Sequence, residues 1–165
     1  MGKKQMNKEE TYAYLDAKGI EYEIINHKAV FNMAELSGTE IPYPEGDAKN
    51  LFLRDDKKQA YYLLTVKGDK RIDLKAFRKA NGTRQLTFAG ADELLELMKL
   101  APGAVTPLGL LNDDGRKVRL YLDRDLCGGM IGCHPNDNTA TIWPRSSDLI
   151  ALIEEHGNAV HIVSM

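Results

Sequence analysis

Apolar and polar positions along the chain follow two different periods, and the switches between them mark out a series of short elements. A helix over Lys8 to Lys18 is predicted by Asn7 and Glu10, which resemble a capping box, and by Gly19 as its stop. Ile20, Tyr22 and Ile24 alternate with charged or polar neighbours as a strand does, and Asn32 to Ser37 reads as a short helix before Gly38. Beyond the polar stretch GTEIPYPEGD, two strands follow, Leu51 to Arg54 and Tyr61 to Val66. The charged turn Asp55-Asp56-Lys57-Lys58 joins them into a hairpin.

The second half continues in the same short units. Asp73 to Ala80 is predicted to be a helix stopped by Asn81-Gly82, Gln85 to Phe88 a strand, and Asp92 to Leu100 a helix that ends before Pro102. Leu94, Leu95, Leu97 and Met98 supply the apolar side of the last of these. Lys117 to Leu122 alternates basic and apolar residues, Thr139 to Trp143 is β-rich, and Ser146 or Ser147 is expected to cap a helix reaching about His156. Ala159 to Val163 closes the series as a strand.

One stretch fits neither period. APGAVTPLGLL, from Ala101 to Leu111, is mostly apolar, yet prolines and glycines break it. An apolar loop implies a segment that packs inward or lines something, because ordinary loops turn polar groups to water. Strands outnumber helices and several are linked as hairpins, so the predicted class is α+β: a mixed, mainly antiparallel sheet with helices packed around it. The chain has no linker or low-complexity tract, and one domain over residues 1–165 is expected.

Composition narrows the function classes. With 43% hydrophobic and 28% charged residues the chain matches folded soluble proteins, not disordered or fibrous ones. The opening MGKKQMNKEE lacks the apolar core of a signal peptide, and no later apolar run is long enough to cross a bilayer, so a cytoplasmic protein without membrane contact is expected. A net charge of -2 argues against a protein that coats nucleic acid nonspecifically. Even so, Lys67, Lys70, Arg71, Lys75, Arg78, Lys79 and Arg84 stand against only Asp69 and Asp73 in one block. Such a block is either a solvated helix face or a set of phosphate contacts.

Cys127 and Cys133 have the spacing of neither a zinc knuckle nor a redox pair, and with His134 they still lack a third regularly spaced ligand. They are expected to be reduced packing residues, with no metal and no cofactor. Glycine-rich phosphate loops, dinucleotide fingerprints, nucleophile elbows and HExxH motifs are missing from the sequence.

Two places could carry chemistry. Lys49 and Asn50 stand immediately before the apolar run Leu51-Phe52-Leu53. A lysine at a strand mouth can reach a phosphate or a developing oxyanion, and the adjacent amide offers both a donor and an acceptor. The same pair can equally be an ordinary loop terminus. The other place is GCHPNDNTATIW, where His134 could bind, orient or transfer a proton near neutral pH, or could simply be structural in a polar turn.

Taken together, FLRDDKKQAYYLL, GDKRIDLK, APGAVTPLGLLND and HPNDNTAT resemble the successive signatures of the bacterial YbaK/ProX-type aminoacyl-tRNA deacylases, in particular the free-standing prolyl-tRNA editing proteins. The likeness runs from about Asn7 to the C-terminus, and its most distinctive part is the G-x-x-x-P loop formed by Gly103, Ala104, Val105, Thr106 and Pro107. The resemblance implies hydrolysis of alanine wrongly attached to the tRNA for proline, in trans. The loop would line a small pocket that admits alanine and excludes proline. It also implies that Lys49 positions the terminal adenosine and the ester, that Asn50, His134 and Asn138 belong to the site, and that water attacks with help from the substrate's own ribose hydroxyl. Cys133 would then be no nucleophile. Lys67, Lys70, Arg71, Arg78 and Lys79 become candidate contacts to tRNA, and prolyl-tRNA synthetase a candidate partner.

Deacylation of another small residue, serine or cysteine, and a catalytically silent tRNA- or synthetase-binding module are the alternatives. Lys49 and the complete loop weigh against silence. Two departures from the family pattern stand out: Asn136-Asp137 replaces the usual Leu-Val and sets a carboxylate near the implied site, and Asn32 replaces a capping Thr. Asparagine also caps helices, so the second change is expected to be harmless.

Overall fold

Strand β2 (Ala48–Asp55) and strand β3 (Tyr61–Lys67) form the predicted antiparallel hairpin, with Asn50 opposite Thr65 and Lys49 opposite Val66. They are the middle of a five-stranded sheet in the order β4-β2-β3-β5-β7, completed by β4 (Leu86–Phe88), β5 (Val118–Asp123) and β7 (Val160–Val163). The structure is a computed structural model and describes residues 8–26, 43–101, 103–136 and 139–165. The cap assigned to Asn7, the helix expected at Asn32 to Ser37, Pro102, Asp137 and Asn138 lie outside the described residues.

β2 runs antiparallel to both β3 and β4, whereas β3–β5 and β5–β7 are parallel. Each parallel pairing needs a crossover connection. The first is provided by α2 (Leu74–Asn81), β4 and α3 (Ala91–Met98), the second by β6 (Ala140–Pro144) and α4 (Ser146–His156). β1 (Tyr22–Asn26) pairs antiparallel with β6 in a separate two-stranded sheet, behind α1 (Lys8–Ala17) in the chain. The α+β class is as expected, and antiparallel pairings are the majority.

Side chains on a strand alternate between the two faces of its sheet, and here both faces are buried. One face carries Phe52, Leu63, Leu120 and Leu122 and packs on Leu94 and Met98 of α3 and Leu149, Leu152 and Ile153 of α4. The other carries Leu53, Tyr62, Leu64, Val66 and Tyr121 and packs on Phe77 of α2. Lys75, Arg78 and Lys79 stay on the exposed side of α2.

Local chemistry explains where the elements stop and start. The Asp73 carboxylate accepts from the backbone N–H of Lys75 and of Ala76, so Asp73 caps α2 instead of forming its first turn, and Gly82 ends the helix at φ +67°. α3 ends earlier than its apolar pattern suggests because Lys99 takes φ +57°. Neither Ser146 nor Ser147 caps α4: the N-cap is Arg145, and the Ser146 hydroxyl instead accepts from the Gly128 N–H at 3.2 Å. The buried hydroxyl joins two segments distant in sequence, a role the local pattern does not reveal.

The irregular apolar stretch resolves into two parts. Pro107–Asn112 is a 3-10 helix, buried throughout. Thr106 caps it through Oγ1, which accepts from the Leu108 N–H at 3.3 Å, and Pro107 opens it with its φ already fixed. Leu108, Leu110 and Leu111 belong to the core, and a Cβ on Gly109 would lie 2.5 Å from Leu100. Much of the apolarity therefore packs inward. The part ahead of the 3-10 helix remains a loop.

Candidate active site

The start of β2 is where the loop, the hairpin and two turns meet. Asn50 shares a sheet face with Phe52, and its amide is fixed at both ends: Thr65 Oγ1 donates to Asn50 Oδ1 at 2.6 Å, and Asn50 Nδ2 donates to the Val105 carbonyl at 3.4 Å. Thr65 is fully buried. Because a hydroxyl occupies the amide oxygen, the NH2 group is turned to the loop. The chain thus holds Gly103–Pro107 against the hairpin through one side chain predicted to act there. Ala104, Thr106 and Pro107 are buried, and Gly103 and Val105 are half-buried.

Lys49 belongs to the opposite face, with Leu51 and Leu53. Its ammonium donates to the carbonyl of Lys70. The two neighbours expected to work together therefore start on different sides of the strand. Lys49 remains within reach of the mouth because β2 begins at Ala48.

Turn 67–70 receives Lys49 and is itself firmly tied. The Gly68 N–H donates to the Asp47 carbonyl at 2.7 Å, and the Lys67 N–H donates to Asp123 Oδ2 at 3.1 Å. Lys70 Nζ lies 3.0 Å from the Asp123 carboxylate, 2.7 Å from Asp125 Oδ2 and 2.8 Å from the Met165 backbone oxygen. Desolvation draws the Lys70 pKa down, but Asp125 and Asp123 outweigh it and hold the value above the ordinary lysine range. Asp47 moves up as well, through burial first and the neighbouring Asp69 carboxylate second.

His134 approaches from the other side. The Gly132 N–H donates to the Gly46 carbonyl at 3.0 Å, so the segment leading to His134 runs beside the segment leading to Lys49. A Cβ on Gly46 would sit 1.9 Å from the Met130 carbonyl oxygen, which makes that approach specific to glycine. His134 Nδ1 lies 3.1 Å from the Ala140 carbonyl, which can only accept, so the ring proton sits on Nδ1. Asn136 is buried at φ +60°, and its Nδ2 donates to Thr11 Oγ1 at 3.1 Å. This departure from the family pattern thereby has a structural reason: asparagine tolerates the left-handed conformation and ties the turn to α1.

The basic block divides. Arg71, Lys75, Arg78 and Lys79 are exposed, Lys67 is half-buried, Lys70 is held among carboxylates, and Arg84 pairs with Asp56 at 2.7 and 3.0 Å. Cys133 is buried in the core, and burial pushes its thiol up to about 12, far from the thiolate a nucleophile needs. Both cysteines are free thiols. Among the described residues, no cluster of three or more His, Cys, Asp or Glu side chains could hold a metal, and no helix is long and apolar enough to cross a membrane. Three residues here escaped sequence reasoning. Thr65 was visible only as the lone threonine in an apolar strand, Asp123 only as the acid ending another, and Asp47 only as part of a polar loop.

Residues 27–152 match the family model of the aminoacyl-tRNA editing domain. The chain belongs to this family. Membership places it among the aminoacyl-tRNA deacylases, as the segment order implied. It is 36% identical over 159 residues to the prolyl-tRNA editing protein ProX of Acetoanaerobium sticklandii, covering 96% of this chain and 97% of that one. It is 35% identical over 150 residues to prolyl-tRNA synthetase associated domain-containing protein 1 of Bos taurus, covering 87% of this chain and 86% of the relative. In fold this editing domain is similar to the crystal structure of a candidate trans-editing enzyme for prolyl tRNA synthetase, with a TM-score of 0.68, 24% identity and 96% of each chain covered.

Proposed function

We propose that the whole chain acts as one trans-editing domain that hydrolyses alanine from mischarged tRNA for proline. The observation that carries this reading is the hydrogen bond from Asn50 to Val105, which joins the residues predicted for chemistry to the loop predicted to measure size. The 36% identity to a prolyl-tRNA editing protein along nearly the full length of both chains supports the choice of tRNA.

In this reading the aminoacyl ester straddles the start of β2. Its amino acid enters on the Asn50 face, against Gly103, Ala104, Val105, Thr106 and Pro107. Its terminal adenosine and phosphate lie on the Lys49 face, which α2 also covers, so the acceptor end continues toward Arg71, Lys75, Arg78 and Lys79. One ammonium hydrogen of Lys49 meets the Lys70 carbonyl, and the others meet phosphate or ester oxygen. His134 closes the pocket on the side where Gly132 meets Gly46, and Asn138 is assigned to substrate binding by the order of the family's segments alone.

Chemistry then requires orientation and oxyanion stabilisation more than an activated side chain. Water, oriented by the neighbouring ribose hydroxyl, adds to the ester carbonyl carbon. The bond from that carbon to the ribose oxygen breaks, and the water's proton passes to that oxygen, releasing alanine and intact tRNA. A wall of fixed size suits the task, because a missing methylene changes binding in a synthetase pocket by only about 1–3 kcal/mol, and a second, smaller sieve removes what slips through.

The test is ester loss from proline tRNA charged separately with alanine, serine, cysteine or proline. Alanine released well ahead of the other three is the expected result. Faster release of serine or cysteine would reassign the substrate. Binding without hydrolysis of any of the four would mark a silent module.

A further inference from the structure

Lys70 belongs to the basic block expected to face phosphate, yet its ammonium is turned inward. Three oxygen-bearing groups surround it: Asp123, Asp125 and the backbone oxygen of Met165, all within 3.0 Å. Asp123 is fully buried at the end of β5, and its two carboxylate oxygens serve three donors: Lys70 Nζ, the Lys67 N–H and the Asp125 N–H at 3.1 Å. A buried carboxylate with this many partners makes a rigid hub, because losing an N–H donor leaves a charged oxygen short of a hydrogen bond and losing Lys70 leaves the charge without its cation in a poorly solvated place. The far side of the same turn is tied to β2 through Gly68 and Asp47, and the carbonyl of Lys70 itself accepts from Lys49.

We propose that Lys70 and Asp123 are positioning residues that set where the Lys49 ammonium sits at the mouth of the site. This inference rests on the reading of Lys49 given above. The side chain of Lys70, pinned by Asp123 and Asp125, fixes its own backbone carbonyl, and that carbonyl fixes Lys49. A lysine with a free four-carbon stem loses rotamer freedom when it engages a substrate; one already held at a carbonyl has little left to lose. Lys70 therefore contributes to turnover without touching tRNA.

The experiment compares Lys70→Met, Lys70→Arg and Asp123→Asn with the unmodified chain, by two readouts. Acetylation of each lysine with acetic anhydride, followed by peptide mass spectrometry, reports how tightly Lys49 is held, with exposed Lys57 as the internal control. Deacylation of alanylated proline tRNA gives kcat and KM. Expected are Lys49 acetylation about fivefold faster in Lys70→Met and Asp123→Asn, a drop in kcat of about tenfold with KM within twofold, and recovery of both in Lys70→Arg. In a Lys49→Arg background the Lys70→Met penalty on kcat should shrink to less than twofold, since effects transmitted through one residue are not additive. Unchanged Lys49 acetylation in both variants overturns the proposal, as does a Lys70→Met effect confined to KM and to the salt dependence of binding, which is the mark of a direct phosphate contact. If the unmodified chain hydrolyses no charged tRNA, the deacylase reading falls, and acetylation alone still decides whether Lys70 and Asp123 hold Lys49.

Discussion

The two faces of β2 at its first residues hold the candidate site by different means. On one, Asn50 is a short amide clamped between a buried hydroxyl and a loop carbonyl, with no freedom to turn over. On the other, Lys49 is a long flexible stem held at its tip by a single carbonyl, and that carbonyl is fixed in turn by an ionic hub. The first arrangement suits a wall whose dimensions must not vary. The second suits an arm that must meet a charged, extended substrate. Strand alternation alone places neighbours in sequence on these two sides, which is why two adjacent residues can serve size selection and nucleic-acid contact separately.

Breaking the Lys49 side should have the largest effect on catalysis. In the proposed reading Lys49→Ala removes a charged donor from the place where the ester's negative charge develops, and losses of this type are on the order of 10²- to 10³-fold in kcat. Single-turnover ester loss from alanylated proline tRNA measures it. A loss in KM alone would reduce Lys49 to a binding contact. On the opposite face, Thr65→Val keeps the shape of the side chain and deletes the hydroxyl. Asn50 Oδ1 then loses its 2.6 Å donor, at a cost of about 1–3 kcal/mol that a thermal or urea melt will show. The amide is also free to turn over, so discrimination between alanine and proline esters should narrow, whereas Lys49→Ala should slow alanine release without changing that ratio.

Most of the scaffold was legible because it follows from local pattern: the hairpin, α2 with its Gly82 stop, and the sequence of short elements. The two parallel pairings were not, since nothing in the alternation of β3, β5 and β7 distinguishes a parallel neighbour from an antiparallel one. Ser146 misled for a related reason. Serine at a helix start is a good cap locally, and here its hydroxyl is claimed by the distant Gly128. For the site, residue identities came from the order of the family's segments, but their partners did not. Thr65 meets Asn50 only once the register of the hairpin is known, and Asp123 and the inward turn of Lys70 depend on contacts between segments distant in sequence. The charge of Lys70 looks the same on paper whether it meets solvent, phosphate or a buried acid.

The exposed face of α2 sharpens the comparison from the nucleic-acid side. If the acceptor end runs from Lys49 over this helix, Arg78→Glu and Lys79→Glu should each flatten the dependence of log K on log salt by about one unit, measured by fluorescence anisotropy with labelled proline tRNA. Arg84→Glu serves as the contrast. Its guanidinium already engages Asp56 in two hydrogen bonds, so it should change the slope less than either α2 residue. Equal effects at all three positions would mean diffuse attraction and no track along the helix.

The smallest effect on catalysis is expected from Cys133, a thiol buried in the core on the loop side. Burial raises the Cys133 thiol from 9.0 to about 12, so the folded chain keeps the proton that the unfolded chain gives up sooner. Below the unfolded value both states are protonated, and Cys133 contributes no pH dependence. As pH rises from about 9 toward 12 the unfolded state sheds its proton first, and stability falls by up to about 1.4 kcal/mol per pH unit. Urea midpoints of the natural chain and of Cys133→Ala should therefore run parallel from pH 6 to 8 and converge above about pH 9, the variant losing less. Curves that instead diverge near neutrality would reveal an ionised thiol. The same low-pKa cysteine would reopen nucleophilic catalysis at a site whose other residues are arranged only to hold and orient.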